Sequence, residues 1–286
     1  MARQVPVEGA AQLLGRKLDD VIEVLSDLAY RRLGIVNVVY FGEPSADDTH
    51  WVLIDAGVTG TTRTIERGAE SRFGAAARPE AIVLTHGHFD HVGALAELAE
   101  KWDVPIYAHP LEHPYLDGSE SYPPPDPSVG GGLMSTLSRF YPRGPVDIGR
   151  WLAPLPPDGS VPGMPGWQWI HTPGHTRGHV SFWRDEDRTL IAGDAFVTTA
   201  QESAYSVLTQ QPELHGPPMY YTTDWDNARA SVERLADLRP ETIITGHGPP
   251  LRGAAMREAL ETLARDFDHV AIPKQGRHVD APKRPR

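Results

Sequence analysis

The sequence predicts an α/β fold, a four-layer αββα sandwich built from two β-rich halves, each flanked by helices. Three observations predict it. Short apolar, β-branched runs alternate with amphipathic stretches along the chain, this order occurs twice, and clusters of histidine and aspartate fall at the ends of the apolar runs. No repeat of fixed period is present, so the two-half reading rests on element order. A chain of 286 residues, 40% hydrophobic, can bury a large core, and residues 1–272 are read as a single domain.

In the first half, "GIVNVVYF" and "HWVLIDAG" read as a hairpin or two neighbouring strands, with the polar "GEPSADDT" between them. "TRTIERGAESRFG" reads as a helix before the short buried strand "AIVLT". Next, "VGALAELAEKW" is apolar at helical spacing, and "VPIYAH" is another strand. In the second half, "WQWIHTPGH", "HVSFWR" and "RTLIAGD" read as strands, followed by the helix "DWDNARASVERLADLRP" with an aspartate available for its N-terminus. "ETIITGHGPP" is a strand ending in glycine and histidine, and "GAAMREALETLARDF" is the last helix. Two irregular segments remain, 110–132 and 195–223, and loops of such length in a compact domain serve a function or lack order.

Charge and composition remove several classes of function. A formal charge of −11 opposes general nucleic-acid binding, which needs excess Lys and Arg to neutralise phosphates. Only residues 273–286 are locally basic, through Lys274, Arg277, Lys283, Arg284 and Arg286, and with their prolines and glycine they read as a flexible tail. No apolar run approaches the ~18 residues of a membrane span, and no secretory leader is evident, so a cytoplasmic protein is expected. The expected partner is a small-molecule substrate, with no nucleic acid and no membrane; a homodimer is left open. Absence of cysteine removes disulfides, thiolate ligands and a cysteine nucleophile together, so any metal must be held by nitrogen and oxygen.

The stretch "LTHGHFDHVG" places His86, His88, Asp90 and His91 within six positions at a strand-to-helix turn. Imidazole and carboxylate are ligands of zinc and related divalent ions, and one ion takes three or four of them. In an extended chain His86, His88 and Asp90 would point one way and His91 the other, which suits two metals, and Gly87 would let the backbone bend close to the ions. His175, Asp194 and His247 each follow a glycine at the end of a predicted strand and supply further ligands. A carboxylate such as Asp194 can bridge two cations and offset their repulsion.

Through these residues the sequence resembles the metallo-β-lactamase-fold superfamily, whose pattern H-x-H-x-D-H, then H, D and H matches His86, His88, Asp90, His91, His175, Asp194 and His247 in order, over about Ile35 to Pro250. The resemblance implies an αββα sandwich with metals at its edge. It would assign His86, His88 and His175 to one metal, Asp90, His91 and His247 to the second, and Asp194 as the bridge. Zinc is the first expectation, and such ligands also accept Fe, Mn or Co. Asp55 resembles an early acidic residue of the family and is expected to orient a histidine ligand. The other histidines, His50, His109, His113, His171, His179, His215, His269 and His278, match no ligand position and read as surface or hydrogen-bonded core residues; His179 is the closest decoy.

Two metals can lower the pKa of a shared water from ~16 to about 7, giving a metal-bridging hydroxide, while Asp90 as catalytic residue takes its proton and passes it to the leaving group. The fold leaves the substrate open. From Pro110 to Ser138 and from Ala195 to Thr223 there is no Lys or Arg, whereas Glu112, Asp117, Glu120, Asp126, Glu202 and Glu213 are acidic. The same segments offer Tyr115, Tyr122, Leu133, Met134, Phe196, Tyr205, Met219, Tyr220 and Tyr221. The expected substrate is therefore a neutral ester or lactone, as for an acyl-homoserine lactonase. Alternatives are a glyoxalase II-like thioester hydrolase, a phosphoester or phosphotriester hydrolase, and a mononuclear-iron sulfur dioxygenase using His86, His175 and Asp194. Arg139, Arg143 and Arg177 are the alternative anion contacts.

Overall fold

In the computed structural model, residues 5–7, 11–12, 21–131, 133–144, 146–200 and 213–279 are described. Among them a seven-stranded sheet runs Ile22–Leu25, Leu28–Leu33, Val36–Phe41, Val52–Ile54, Ala81–Val83, Ile106–Ala108 and Leu152–Pro154, in that spatial order. Its first four strands pair antiparallel and the remainder parallel. The second sheet runs Trp167–His171, Val180–Arg184, Thr189–Gly193, Thr242–Thr245, Leu251–Arg252 and Ala11–Gln12. Val5–Pro6 pairs separately with Glu213–Leu214.

The period-two alternation of side chains gives each sheet two apolar faces, which forces each between two other layers. Val39, Phe41, Val52, Ile54 and Val83 of the first sheet pack with Val180, Phe182, Ile191 and Ile244 of the second. Their sequence neighbours Val38, Tyr40, Leu53, Ile82 and Leu84 pack instead with Ile65 and Phe73 of helix Thr62–Phe73 and with Leu95, Leu98 and Trp102 of helix Leu95–Trp102. On the far side Trp183, Leu190, Ala192 and Ile243 meet Val232 and Leu235 of helix Trp225–Asp237 and Met256, Leu260 and Leu263 of helix Ala254–Arg265. Three apolar layers separate four structural ones, and the αββα sandwich stands as expected. Asp224 caps its helix, its carboxylate accepting the backbone N–H of Asn227 at 3.0 Å.

Two parts depart from the sequence expectation. The first sheet begins with the hairpin Ile22–Leu33, whose alternation is interrupted by Glu23, Arg31 and Arg32; Glu23 pairs with the buried Arg72, and Arg31 Nη1 donates to Thr64 O at 2.7 Å. The basic tail was expected to be free from residue 273, yet Arg277 donates its backbone N–H to Asp126 Oδ2 at 2.6 Å and its guanidinium to Pro124 O at 3.1 Å. An acidic residue in segment 110–132 thus holds the start of the tail. Glu202, Tyr205, Lys283, Arg284 and Arg286 lie outside the described residues, as does the side chain of Met134.

Candidate metal centre

Every sequence-predicted ligand follows the C-terminal end of one of four strands, Ala81–Val83, Trp167–His171, Thr189–Gly193 and Thr242–Thr245, and these four ends meet at one edge. The parallel pairing of Gly193 with Thr245 sets Asp194 beside the turn that carries His247. The sheets are tied together at this edge: Val180 N donates to Thr85 O at 2.9 Å, and Asn37 N donates to Gly246 O at 2.8 Å. The Asn37 side-chain amide adds bonds to Thr245 O at 2.9 Å and Gly248 O at 2.7 Å.

The ligand atoms fall into three buried groups, each within 4.8 Å internally: His86, His88 and His175; His86, His91 and Asp194; Asp90, His91 and His247. Asp194 is their common neighbour. Its Oδ2 lies 3.1 Å from His247 Nε2, 3.4 Å from His175 Nε2 and 4.0 Å from His86 Nε2, and its Oδ1 lies 3.5 Å from His91 Nε2. Asp90 Oδ2 is 3.5 Å from His247 Nε2.

One expectation needs correcting. His91 does not point away from His86: the chain turns, with His91 N donating to His88 O at 2.9 Å, and the His86 and His91 rings come to 4.2 Å. Gly87 also has a different reason from the one expected. A Cβ there would stand 2.8 Å from the Tyr122 hydroxyl, so glycine makes room for a side chain rather than for ions. Gly246 is the close approach to the centre itself, since its Cβ would meet Asp194 Oδ1 at 2.1 Å.

Three of the imidazoles are fixed through their outer nitrogens, leaving the inner ones directed at the centre. His91 Nδ1 lies 2.7 Å from Asp55 Oδ2, His247 Nδ1 2.6 Å from Ile35 O, and His175 Nδ1 3.1 Å from Thr222 Oγ1. Asp55 also accepts the backbone N–H and hydroxyl of Thr85, both at 2.8 Å, so it locks the first ligand turn to His91. His88 differs: its Nδ1 faces His175 Nε2 at 2.9 Å.

Sequence reasoning missed Glu112 as a structural residue of the site. Its fully buried carboxylate accepts Gly87 N at 2.9 Å and the Tyr122 hydroxyl on one oxygen, and Thr176 Oγ1 at 2.7 Å and Gly178 N at 2.8 Å on the other. It thereby joins the His86–His88 turn to the His175 turn. Burial pushes its pKa up despite these donors. The signal available in the sequence was only an acidic residue inside an otherwise irregular segment.

Burial sets the direction at three of the histidines and at Asp90, whereas the mutual attraction of His91, His247 and Asp194 overcomes it at those three. Burial lowers His86, with His91 and His88 adding to the effect, and it lowers His88, with His175 adding; His175 is brought to about 4 by burial against the opposing pull of Asp194. These imidazoles are neutral at pH 7, the form that binds metal. Burial would raise Asp194, but His247 and His91 hold it well below the usual carboxylate range. Burial raises Asp90.

Three buried polar atoms at the centre have no hydrogen-bond partner among the described residues: His86 Nε2, His91 Nε2 and Asp194 Oδ1. Such orphans are rare in protein interiors, and divalent cations bound by N and O ligands would satisfy them. The donor set present fits a metal.

The pocket that reaches His88 and His175 is walled by Tyr115, Tyr122, Tyr220, Tyr221 and Pro123–Pro125, with Arg177 and His278 also on its lining. The described parts of both long segments therefore reach the centre. Arg177 and His278 reach the pocket from outside these segments, from the His175 turn and the tail, so its charge is not set by the segments alone. Arg143 instead donates to Tyr122 O at 3.3 Å, and Arg139 lies over the Phe140 ring at 5.1 Å.

A four-layer sandwich with this histidine and aspartate set at one edge defines a class of metal-dependent hydrolases. The family model of the metallo-beta-lactamase superfamily matches residues 31–247, and the chain belongs to that superfamily. It is 48% identical over 232 residues to a Bacillus subtilis (strain 168) protein named "Probable metallo-hydrolase YflN", covering 81% of this chain and 88% of that one. Among solved structures it resembles TTHA1623 in a di-iron-bound form, with 27% identity and a TM-score of 0.52, over 80% of this chain and 92% of that one. It shares its fold with BJP-1, a subclass B3 metallo-beta-lactamase of Bradyrhizobium japonicum, at 18% identity and a TM-score of 0.58, over 88% and 95% of the two chains. The protein is a metal-dependent hydrolase. No described helix is long and apolar enough to cross a membrane.

Proposed function

We propose that the chain holds two divalent metal ions and hydrolyses a neutral ester or lactone. The observation that carries the dinuclear reading is the position of Asp194, whose two oxygens lie between four histidines drawn from both halves of the fold. His86, His88 and His175 would hold one ion and Asp90, His91 and His247 the other, with Asp194 shared. Zinc is the first choice of metal, and the di-iron form of TTHA1623 makes iron the alternative. When bound, the ions supply positive charge that acidifies water and polarises a carbonyl oxygen.

The residues of the chain do the remainder. The aromatic and proline wall beside His88 and His175 receives the part of the substrate remote from the reacting carbonyl. Asp90, buried beside His247, takes a proton from the attacking water as the O–C bond forms. It returns that proton to the leaving oxygen as the C–O bond breaks. A lactone of the acyl-homoserine type satisfies both requirements.

A second reading is a thioester hydrolase whose substrate carries an anionic end, favoured by Arg177 and His278 on the pocket lining. Comparing kcat/KM for a long-chain acyl lactone, the matching aryl ester and S-lactoylglutathione decides between them. The first reading expects the lactone to be best. A tenfold preference for the glutathione thioester would replace it with the second.

A further inference from the structure

Two phenols pack on the His88 imidazole, and only one has its polar end committed. Tyr122 lies with its ring centroid 4.5 Å from that of His88, and its hydroxyl donates to Glu112. Tyr221 stacks closer, at 4.3 Å with the planes 30° apart, and is 7% exposed. Its hydroxyl is buried and has no hydrogen-bond partner among the described residues. Its ring also lies 6.3 Å from that of Phe89, the residue before Asp90, and the charges of Asp90 and Arg143 act on its hydroxyl. Tyr221 also lines the pocket that reaches His88 and His175.

A phenol ring would fill this place as well without its oxygen. Leaving a buried O–H donor unpaired is unfavourable, and such groups persist in native proteins where they are used. The ring stack holds the donor in place before substrate arrives, which is the requirement for stabilising charge that develops only during reaction.

We propose that the Tyr221 hydroxyl donates a hydrogen bond to the reacting oxygen of the substrate as its carbonyl becomes tetrahedral, which makes Tyr221 a catalytic residue of the hydrolysis proposed above. The inference rests on that reading for the identity of the oxygen. No proton is transferred and no covalent bond to Tyr221 forms. The carbonyl oxygen gains negative charge as water adds, the hydrogen bond strengthens, and the charge returns to the carbonyl when the leaving group departs.

The test is Tyr221→Phe in the full-length, metal-loaded protein, which keeps the ring and removes only the oxygen. The expected results are an unchanged metal content, a melting temperature equal to or above that of the wild type, and a kcat lower by roughly 10–100-fold with KM within about twofold. Binding of phenylphosphonate, a stable tetrahedral oxyanion, should weaken by about tenfold in calorimetric titration. Equal phenylphosphonate affinity in the two proteins overturns the proposal, as does a melting temperature lowered by several degrees, which would reveal a structural partner for the hydroxyl. Should the wild type cleave no ester or lactone while the variant still binds phenylphosphonate more weakly, the substrate reading fails and the donor role of Tyr221 stands.

Discussion

His179 Nε2 accepts the backbone N–H of Asp194 at 2.9 Å, while its Nδ1 lies 2.8 Å from Thr172 Oγ1. Burial and the neighbouring His175 bring its pKa down to about 3, so the ring is neutral and its tautomer is set by these two bonds. The histidine that most resembles a ligand in sequence is thus the residue that holds the backbone of Asp194, the carboxylate proposed to bridge the ions. His179→Ala should still take up two metals at saturating supply, with affinity weaker by roughly 10-fold. Asp194→Ala should lose both. Competition with a chelator of known affinity measures the difference, and an unaltered affinity in His179→Ala would show that the contact does not steer Asp194.

Glu112 offers a second test. A glutamine at this position keeps the shape but places a donor NH2 group among donors, so at least one of the bonds from Gly87, Tyr122, Thr176 or Gly178 is lost. Glu112→Gln should lower unfolding free energy by about 2–4 kcal/mol, against about 1 kcal/mol for Tyr122→Phe, which leaves the carboxylate its other donors. Urea unfolding of the metal-free proteins gives both values. Equal effects would mean that Glu112 does not act as the shared acceptor.

Acid should destabilise the metal-free protein in a defined window. Burial, aided by His171 and His113, brings His109 to about 4 from an ordinary 6.5, and His179 lies at about 3. Because the unfolded chain binds these protons and the native state does not, the contribution is fully present above pH 6.5 and is lost as pH falls toward 4. Between about pH 6.5 and 4 the melting temperature should fall, and less steeply in His109→Asn. Parallel curves for the two proteins would remove His109 from the explanation.

The tail gives a prediction that the sequence alone opposed. Arg277 is held by Asp126, whose own backbone N–H donates to Tyr220 O at 2.8 Å, and His278 lines the pocket. Ending the chain after Ile272 should therefore raise KM several-fold while leaving metal content unchanged. Steady-state kinetics of the truncated chain reads this directly, and an unchanged KM would place the tail outside the substrate's path.

What could be read from sequence follows from what kind of signal each feature leaves. The candidate metal set was legible because four of its members occupy six consecutive positions and the others each follow a glycine at a strand end. Both sheets were legible where strands are apolar on both faces, as in Val36–Phe41 and Thr189–Gly193. The hairpin Ile22–Leu33 was not, since Glu23 and Arg31 make bonds that only the folded chain reveals. Glu112 and Asn37 were invisible for a related reason: their partners lie 66 and 211 positions away, and no local pattern marks an acceptor or amide that ties distant turns together. The bend that brings His91 back to His86 was missed because extended geometry was assumed where the chain turns.

A two-metal centre bridged by Asp194 requires two divalent ions per chain, and metal stoichiometry reads that number. Elemental analysis of protein purified without added metal, and again after loading and desalting, should approach two divalent ions per chain in the loaded sample. One iron per chain that no loading raises toward two would contradict the account.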